Sequence, residues 1–101
     1  MKRQKLSQII TEENWCQGVT FQGEKRACLI GHWCRQYNKA DEYPITQKSI
    51  VLRKLAKTIE KMFPERKRAD AFSIAGRIAS FNDDPQTTVN DVIKVCKAAG
   101  L

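Results

Sequence analysis

Length, composition and charge indicate one small basic domain. The chain has 101 residues, of which 42% are hydrophobic and 29% charged, and its formal net charge is +7. This size suits a single core over residues 1–101, the hydrophobic fraction excludes a disordered chain, and no apolar run is long enough for a transmembrane helix. No apolar segment follows the basic N-terminus, so we expect no signal peptide, a reducing cytoplasmic location and no membrane contact.

The first quarter of the chain predicts a short helix followed by a β-hairpin near residues 15–29. Apolar residues at i, i+3 and i+4 define one helix face within Lys5–Asn14. From Trp15 to Phe21 the pattern alternates as it does in a half-buried strand. Gly23 suits the following turn, and a return strand is expected from Arg26.

The segment after the hairpin predicts a second helix that begins near Cys28. Trp33 and Tyr37 recur there at helical spacing. Gly31 lies inside this helix, where glycine costs about 1 kcal/mol relative to alanine. We therefore expect another backbone, such as that of the hairpin, to approach it closely.

Three more helices are predicted in the rest of the chain. The third begins at Thr46 and ends before Pro64, and the fourth covers Arg66–Ser80. A loop at Asn82–Pro85 separates it from the last helix, which Thr87 or Thr88 caps and Gly100 ends. The expected fold class is α+β and predominantly α, with about five helices and one short hairpin.

Positive charge is concentrated in the segment between Lys48 and Arg68. This segment contains eight basic residues and only two acidic ones, Glu60 and Glu65, which gives it a charge of +6. The bases are Lys48, Arg53, Lys54, Lys57, Lys61, Arg66, Lys67 and Arg68. Lys54, Lys57 and Lys61 share one helix face opposite the apolar residues, which predicts a contact surface for nucleic acid or for an acidic protein. The alternative is a solvated face that only keeps the chain soluble.

The four cysteines favour buried free thiols. They form no Cys-x-x-Cys pair, and we expect neither a cofactor nor a metal. Two alternatives remain open. A zinc site could use Cys16, Cys28, His32 and Cys34, and Cys28 with His32 could act as nucleophile and base.

Three short motifs occur in order along the chain. They are Trp15-Cys16-Gln17-Gly18, Cys28-Leu29-Ile30-Gly31 and Phe81-Asn82-Asp83. With these motifs the chain resembles a family of small bacterial and phage domains of unknown function that shows W-x-Q-G, C-x-x-G and F-N-D at similar separations. The resemblance spans roughly residues 5–99 and implies fold and size but no activity. His32 and Trp33 stand where its members have small apolar residues, so any chemistry of His32 would belong to this chain alone.

The motif residues form a second candidate site. They are Trp15, Gln17, Gly18, Cys28, Gly31, Phe81, Asn82 and Asp83. We expect several of them to meet where the hairpin packs on the helices, with Gln17 and Asn82 satisfying buried backbone groups or lining a small pocket.

These observations favour a non-enzymatic binding or accessory protein. Its partner would be nucleic acid or an acidic protein surface, and the phage resemblance suggests a modulator or inhibitor of a host complex. One alternative is a small-molecule binder or cysteine-dependent enzyme that uses Cys28 near Trp15, Gln17 and Asn82. Another is a structural or oligomeric subunit, which the aromatic residues Trp33 and Tyr37 suggest.

Overall fold

The computed structural model describes residues 5–36, 50–66 and 73–101, and within them the fold is α+β and predominantly α. The described helices are α1 (Leu6–Ile9), α2 (Leu29–Gln36), α3 (Ile50–Met62), α4 (Ile74–Asp83) and α5 (Val89–Ala98), with a 3₁₀ turn at Pro64–Arg66 after α3. Strands β1 (Phe21–Gln22) and β2 (Arg26–Ala27) form an antiparallel hairpin between α1 and α2. In these parts of the chain, no helix combines the length and the apolar composition that crossing a membrane requires.

The helices enclose one hydrophobic core. α3 packs against α4 and α5, α2 against α4, and α1 against α5. Each helix buries its apolar stripe, and the largest side chains that are almost wholly buried include Leu6, Leu29, Leu55, Phe81 and Val95. The backbone amide of Ser7 also donates to the carbonyl of Leu101, which joins the two ends of the described fold.

The first helix is shorter than predicted. It ends at Ile9 because Asn14 closes the chain into a turn. The Asn14 Nδ2 donates to the Ile9 carbonyl at 2.7 Å, and its Oδ1 accepts from the Thr11 amide at 2.8 Å. An asparagine side chain that bonds nearby backbone in this way competes with the helix.

The hairpin is also shorter than the alternation predicts. The turn does lie at Gly23, which adopts a positive φ of 67° that favours glycine. The predicted strand over Trp15–Phe21 is wrong for most of its length, since β1 is only Phe21–Gln22. Of the residues before it, only Trp15 forms a bridge with β2, at Ala27. Gln17, Gly18 and the Cys16 carbonyl bond α4 and the residue after it instead, as described below.

Helices α3, α4 and α5 follow the predicted order with shifted boundaries. The predicted start of the third helix at Thr46 and the residues around Tyr37 lie outside the described residues, and Pro64 follows the end of α3 as expected. The fourth helix begins after Ser73, whose hydroxyl accepts from the Gly76 amide at 2.8 Å, and not at Arg66. Thr88 caps α5 in a capping box with Asp91.

The predicted loop at Asn82–Pro85 is wrong for its first two residues, because α4 continues through Asp83. Asparagine and aspartate favour turns when their side chains bond the adjacent backbone. Here the Asn82 side chain bonds distant backbone and an indole, and tertiary contacts therefore override the local preference.

Candidate functional site

The side chain of Asn82 lies at the centre of the motif residues and uses its full hydrogen-bonding capacity. Its Oδ1 accepts from the Trp15 indole Nε1 at 2.7 Å and from the Leu29 amide at 3.0 Å. Its Nδ2 donates to the Cys16 carbonyl at 3.0 Å and to Asp83 Oδ1 at 2.9 Å. Asn82 is wholly buried. Since two donors face one end of the amide and two acceptors face the other, only one orientation of the side chain is compatible with these partners.

Asn82 takes the place of a missing β-ladder bond. Trp15 and Ala27 form an isolated parallel bridge, in which the Ala27 amide donates to the Asn14 carbonyl and the Cys16 amide to the Ala27 carbonyl. In a continuing parallel ladder the next bond would join the Leu29 amide to the Cys16 carbonyl. The Asn82 carboxamide lies between these two groups and bonds both. It therefore acts as an inserted peptide unit that splays the two segments apart.

Gln17 and Gly18 attach the same segment to the C-terminal end of α4. The Gln17 Nε2 donates to the carbonyls of Asn82 and Asp84, at 2.9 and 3.0 Å. The last carbonyls of a helix have no partner within the helix, so Gln17 satisfies groups that would otherwise be unpaired. The Gly18 amide donates to Asp83 Oδ1 at 2.9 Å.

Gly31 and Phe81 provide the packing behind these hydrogen bonds. A Cβ atom on Gly31 would collide with the Thr20 backbone oxygen and lie 2.9 Å from the Ala27 Cβ, so α2 approaches the hairpin closely only because residue 31 is glycine. Phe81 is wholly buried on α4, with its ring centroid 5.3 Å from that of Phe63.

The structure thus brings the motif residues together, and the interactions of their polar side chains are mostly internal. A cavity of about 210 Å³ lies beside them and is lined by Gly18, Val19, Thr20, Cys28, Ile30, Ala79 and Asp83. The indole of Trp15 and the amides of Gln17 and Asn82 already bond protein groups. This arrangement favours a structural role for the three side chains over ligand binding.

Burial acts against the interpretation of Cys28 and His32 as a nucleophile and its base. Burial raises the pKa of the Cys28 thiol, although the amides of Gly31 and Ile30 at the start of α2 oppose this. An activated cysteine has a lowered pKa. The His32 Nε2 lies 2.8 Å from the Asn14 carbonyl, which only accepts, so Nε2 carries the proton and donates.

The zinc hypothesis also finds no matching geometry. In the parts of the chain that the structure describes, no three His, Cys, Asp or Glu side chains are grouped to hold a metal ion. These parts contain all four side chains considered for zinc, namely Cys16, Cys28, His32 and Cys34, and each of the four is buried.

Titration of His32 is expected to destabilise the fold at mildly acidic pH. Burial lowers the pKa of His32. The hydrogen bond to the Asn14 carbonyl opposes this in part, and the charge of Arg35, a smaller effect, lowers the pKa further. The unfolded chain therefore binds a proton at His32 more readily than the folded protein does. The free energy of unfolding falls as pH decreases below about 6.5, the pKa of His32 in the unfolded chain, by up to about 1.4 kcal/mol per pH unit. Urea unfolding between pH 7.5 and 5 measures the slope.

A His32→Gln variant provides the control for this pH dependence. Glutamine does not titrate, and its amide can still donate to the Asn14 carbonyl. We expect the slope between pH 6.5 and 5 to be markedly smaller in this variant. Equal slopes in the two proteins would show that His32 is not the titrating group.

The basic residues occupy two different environments. Arg53, Lys54, Lys57 and Lys61 are exposed on α3, and we call these four residues the basic face. Lys48, Lys67 and Arg68 lie outside the described residues. Arg66 is separated from the basic face, because its side chain is only 12% exposed and is engaged elsewhere.

Arg66 connects the 3₁₀ turn to α5. Its Nη1 lies 2.7 Å from Asp91 Oδ2 and 3.2 Å from the Thr87 hydroxyl, and its guanidinium stacks 4.6 Å from the Phe63 ring centroid. Burial acts to raise the pKa of Asp91, but the hydrogen bonds from Arg66 and the Thr88 amide and the charges of Arg66 and Lys94 lower it overall. Arg66 is thus a structural ion-pair partner in this fold.

Sequence patterns did not predict four contacts that the structure shows. The pairing of Arg66 with Asp91 joins residues 25 apart, and no local pattern signals it. No local pattern signals the hydrogen bonds from Asn82 to the backbone groups of Cys16 and Leu29 either. The bond from His32 to Asn14 had one indirect signal, since a lone histidine on a buried helix face needs a partner.

Comparison with known proteins places the chain in a family without assigning an activity. No curated protein and no solved structure matches it. The model of a family of unknown function matches residues 4–100, which include all three motifs and every described element. The chain belongs to this family, DUF6197.

Proposed function

We propose that the protein is a non-enzymatic accessory protein that binds the phosphate backbone of nucleic acid through the basic face of α3. The observation that carries this proposal is that α3 has its apolar residues on one face and its basic residues on another. Leu52, Leu55 and Ile59 are buried in the core, whereas the four bases are exposed. Each phosphate contact would release counterions and strengthen binding at low salt.

The four bases lie close enough together to act as one surface. With 3.6 residues per turn they fall within an arc of about 100° around the helix axis. Lys54, Lys57 and Lys61 extend along about 10 Å of the helix, at a rise of 1.5 Å per residue. This length is sufficient to place several ammonium groups along one nucleic-acid strand, whose phosphates repeat at about 3.4 Å of axial rise.

The acidic residue of α3 does not cancel this charge. Glu60 Oε1 lies 2.9 Å from the Nη1 of Arg77 on α4, and the two side chains are about one third exposed. Glu60 therefore shares an ion pair with a residue outside the basic face. Lys54, Lys57 and Lys61 outnumber this one acidic residue of α3, so the exposed side of the helix has a net positive charge toward an approaching polyanion.

The composition of the basic face favours nucleic acid over a protein partner. Protein interfaces are enriched in aromatic residues and arginine and depleted in lysine, and three of the four residues are lysines. Base stacking would require aromatic side chains, which the face also lacks. Contact with phosphates alone fits the residues present and implies binding with little sequence preference.

Charge reversal on the basic face tests this proposal. We expect the Lys54→Glu, Lys57→Glu, Lys61→Glu triple variant to bind a labelled 20-base-pair duplex at least tenfold more weakly than the unchanged protein, measured by fluorescence anisotropy at low salt. For the unchanged protein, log K should fall with log salt with a slope of about −2.7, since each of three phosphate contacts contributes about −0.9.

A matched control makes the same change in net charge at other positions. The Lys5→Glu, Lys25→Glu, Lys94→Glu variant alters three exposed lysines on α5 and around α1 and the hairpin. It should lose less than threefold in affinity. Equal losses in the two variants would indicate general charge attraction, and absence of salt-dependent binding to DNA and RNA, duplex or single-stranded, would refute the nucleic-acid function.

A further inference from the structure

We propose that Cys16 and Cys28 form a dithiol site that low-molecular-weight disulfides oxidise to an intramolecular disulfide in the folded protein. This site is independent of the basic face. It lies where the segment after α1 runs beside the start of α2.

The backbone pairing places the two cysteines opposite each other. Trp15 and Ala27 form the parallel bridge, so Cys16 and Cys28 are the next pair in the same register. Paired residues in neighbouring strands lie about 5 Å apart, which is within the Cα separation of 4.4–6.8 Å typical of disulfides. In a parallel pair with this register both side chains extend to the same side.

Asn82 fixes the far side of the pair. It bonds the Cys16 carbonyl and the Leu29 amide at the same time, at 3.0 Å each. The bridge before the cysteines and the carboxamide after them therefore hold the two backbones at a defined separation.

The thiols have separate, non-covalent contacts in the reduced structure. The Cys16 Sγ lies 3.5 Å from the Val19 carbonyl, and the Cys28 Sγ lies 3.4 Å from the Gly31 amide. These contacts are weak, so rotation about the side-chain bonds can exchange them for a sulfur–sulfur bond.

We expect Cys16 to react first with an external oxidant, although Cys16 and Cys28 are similarly buried, at 6% and 7% exposed. It lines an open groove of about 390 Å³ together with Glu12, Trp15, Gln17, Gln22 and Arg26. Burial and the Asp83 charge raise the pKa of Cys16, and Arg26 and Arg35 oppose them. Because exchange requires the thiolate, the reaction should accelerate as pH rises.

The chemistry is two successive thiol–disulfide exchanges. The Cys16 thiolate attacks one sulfur of the small disulfide, which forms a mixed disulfide and releases one small thiolate. The Cys28 thiolate then attacks the Cys16 sulfur and releases the second. Both cysteines lose their protons, two electrons pass to the oxidant, and two small thiols are produced for each disulfide formed.

Cys34 and Cys96 are internal controls for this reaction. Both are wholly buried, and burial raises the pKa of Cys96 to about 12. Neither belongs to the paired segments. They should remain reduced under conditions in which Cys16 and Cys28 react.

The test is oxidation of the folded 101-residue chain by oxidised glutathione at pH 8, followed by alkylation, trypsin digestion and mass spectrometry. Trypsin leaves Cys28 and Cys34 on one peptide, Ala27–Arg35, so fragmentation of the cross-linked peptide is needed to locate the bond. We expect a Cys16–Cys28 disulfide that forms unchanged in the Cys34→Ser and Cys96→Ser variants and is absent from Cys16→Ser and Cys28→Ser.

A thermal measurement tests whether the disulfide forms without distorting the folded structure. The disulfide should raise the unfolding temperature, and dithiothreitol should reverse the increase. A stable mixed disulfide at Cys16 alone, a bond from Cys28 to Cys34, formation only in urea, or a lower unfolding temperature after oxidation would each overturn the proposal.

Discussion

Replacing Asn82 with alanine is expected to lower the free energy of unfolding by about 3–5 kcal/mol. The change removes the partner of the Trp15 indole, the Leu29 amide and the Cys16 carbonyl at once. Each buried polar group left unpaired costs about 1–3 kcal/mol, and water can reach the half-buried indole but not the others as easily. A loss of this size is a large fraction of the total stability of a small domain, which is about 5–15 kcal/mol.

Urea titration followed by far-ultraviolet circular dichroism measures this loss without relying on Trp15 as the probe. Asn90→Ala is the matched control, because Asn90 is exposed on α5 and its replacement should change stability by less than about 0.5 kcal/mol. If Asn82→Ala and Asn90→Ala have similar stabilities, the inserted amide does not hold the fold together.

The isosteric Asn82→Asp change tests the donor end of the amide separately. The new carboxyl would place an oxygen against the Cys16 carbonyl and Asp83 Oδ1, both of which accept hydrogen bonds. Repulsion would raise the pKa of the new carboxyl in the folded state, so its cost is small at low pH and increases as pH rises through that pKa. We expect this variant to be closer in stability to the unchanged protein at pH 5 than at pH 7.5.

Replacing Gly31 with alanine is expected to destabilise the protein by about 2 kcal/mol, although alanine is the better helix former. The new methyl group would collide with the Thr20 backbone oxygen and press on the Ala27 Cβ. The hairpin can relieve the collision only by moving away from α2, which would break the 3.0 Å bond from the Cys28 amide to the Thr20 carbonyl. The steric cost therefore exceeds the gain of about 1 kcal/mol in helix propensity.

The reverse substitution at an exposed helical position calibrates this result. Ala98→Gly, in the last turn of α5, should also destabilise, by up to about 1 kcal/mol, because only helix propensity changes there. Thermal and urea unfolding of both variants would show alanine preferred at 98 and glycine at 31. A stabilising Gly31→Ala change would show that the hairpin is free to move.

Much of the fold follows from patterns that the sequence displays directly. The stripe of α3, the Thr88 cap and the Gly23 turn each depend on a few adjacent residues, and the structure has all three. Their physical causes are local, namely side-chain periodicity, capping and positive φ. The close approach at Gly31 was also predictable, since glycine inside a helix needs a steric reason.

The boundaries and the site geometry depend on contacts between distant residues. Alternation predicted a long strand from Trp15, but Gln17 and the Cys16 carbonyl bond α4, more than 60 residues away in sequence. Asn82 and Asp83 have the composition of a loop and lie in a helix for the same reason. The motifs identified the residues that meet in the site, but not the role of Asn82 as a substitute for a peptide group.

The inserted carboxamide of Asn82 also couples the folding of the hairpin to that of α4. A hairpin whose strands have two residues each is too small to be stable alone in water. Here the side chain of Asn82 on α4 accepts a hydrogen bond from the amide of Leu29, which follows the hairpin and lies 53 residues away in sequence. The hairpin and the start of α2 therefore cannot reach their final arrangement before α4 has formed and docked. We therefore expect amide protons around Ala27 and Leu29 to exchange with solvent only when the whole domain opens.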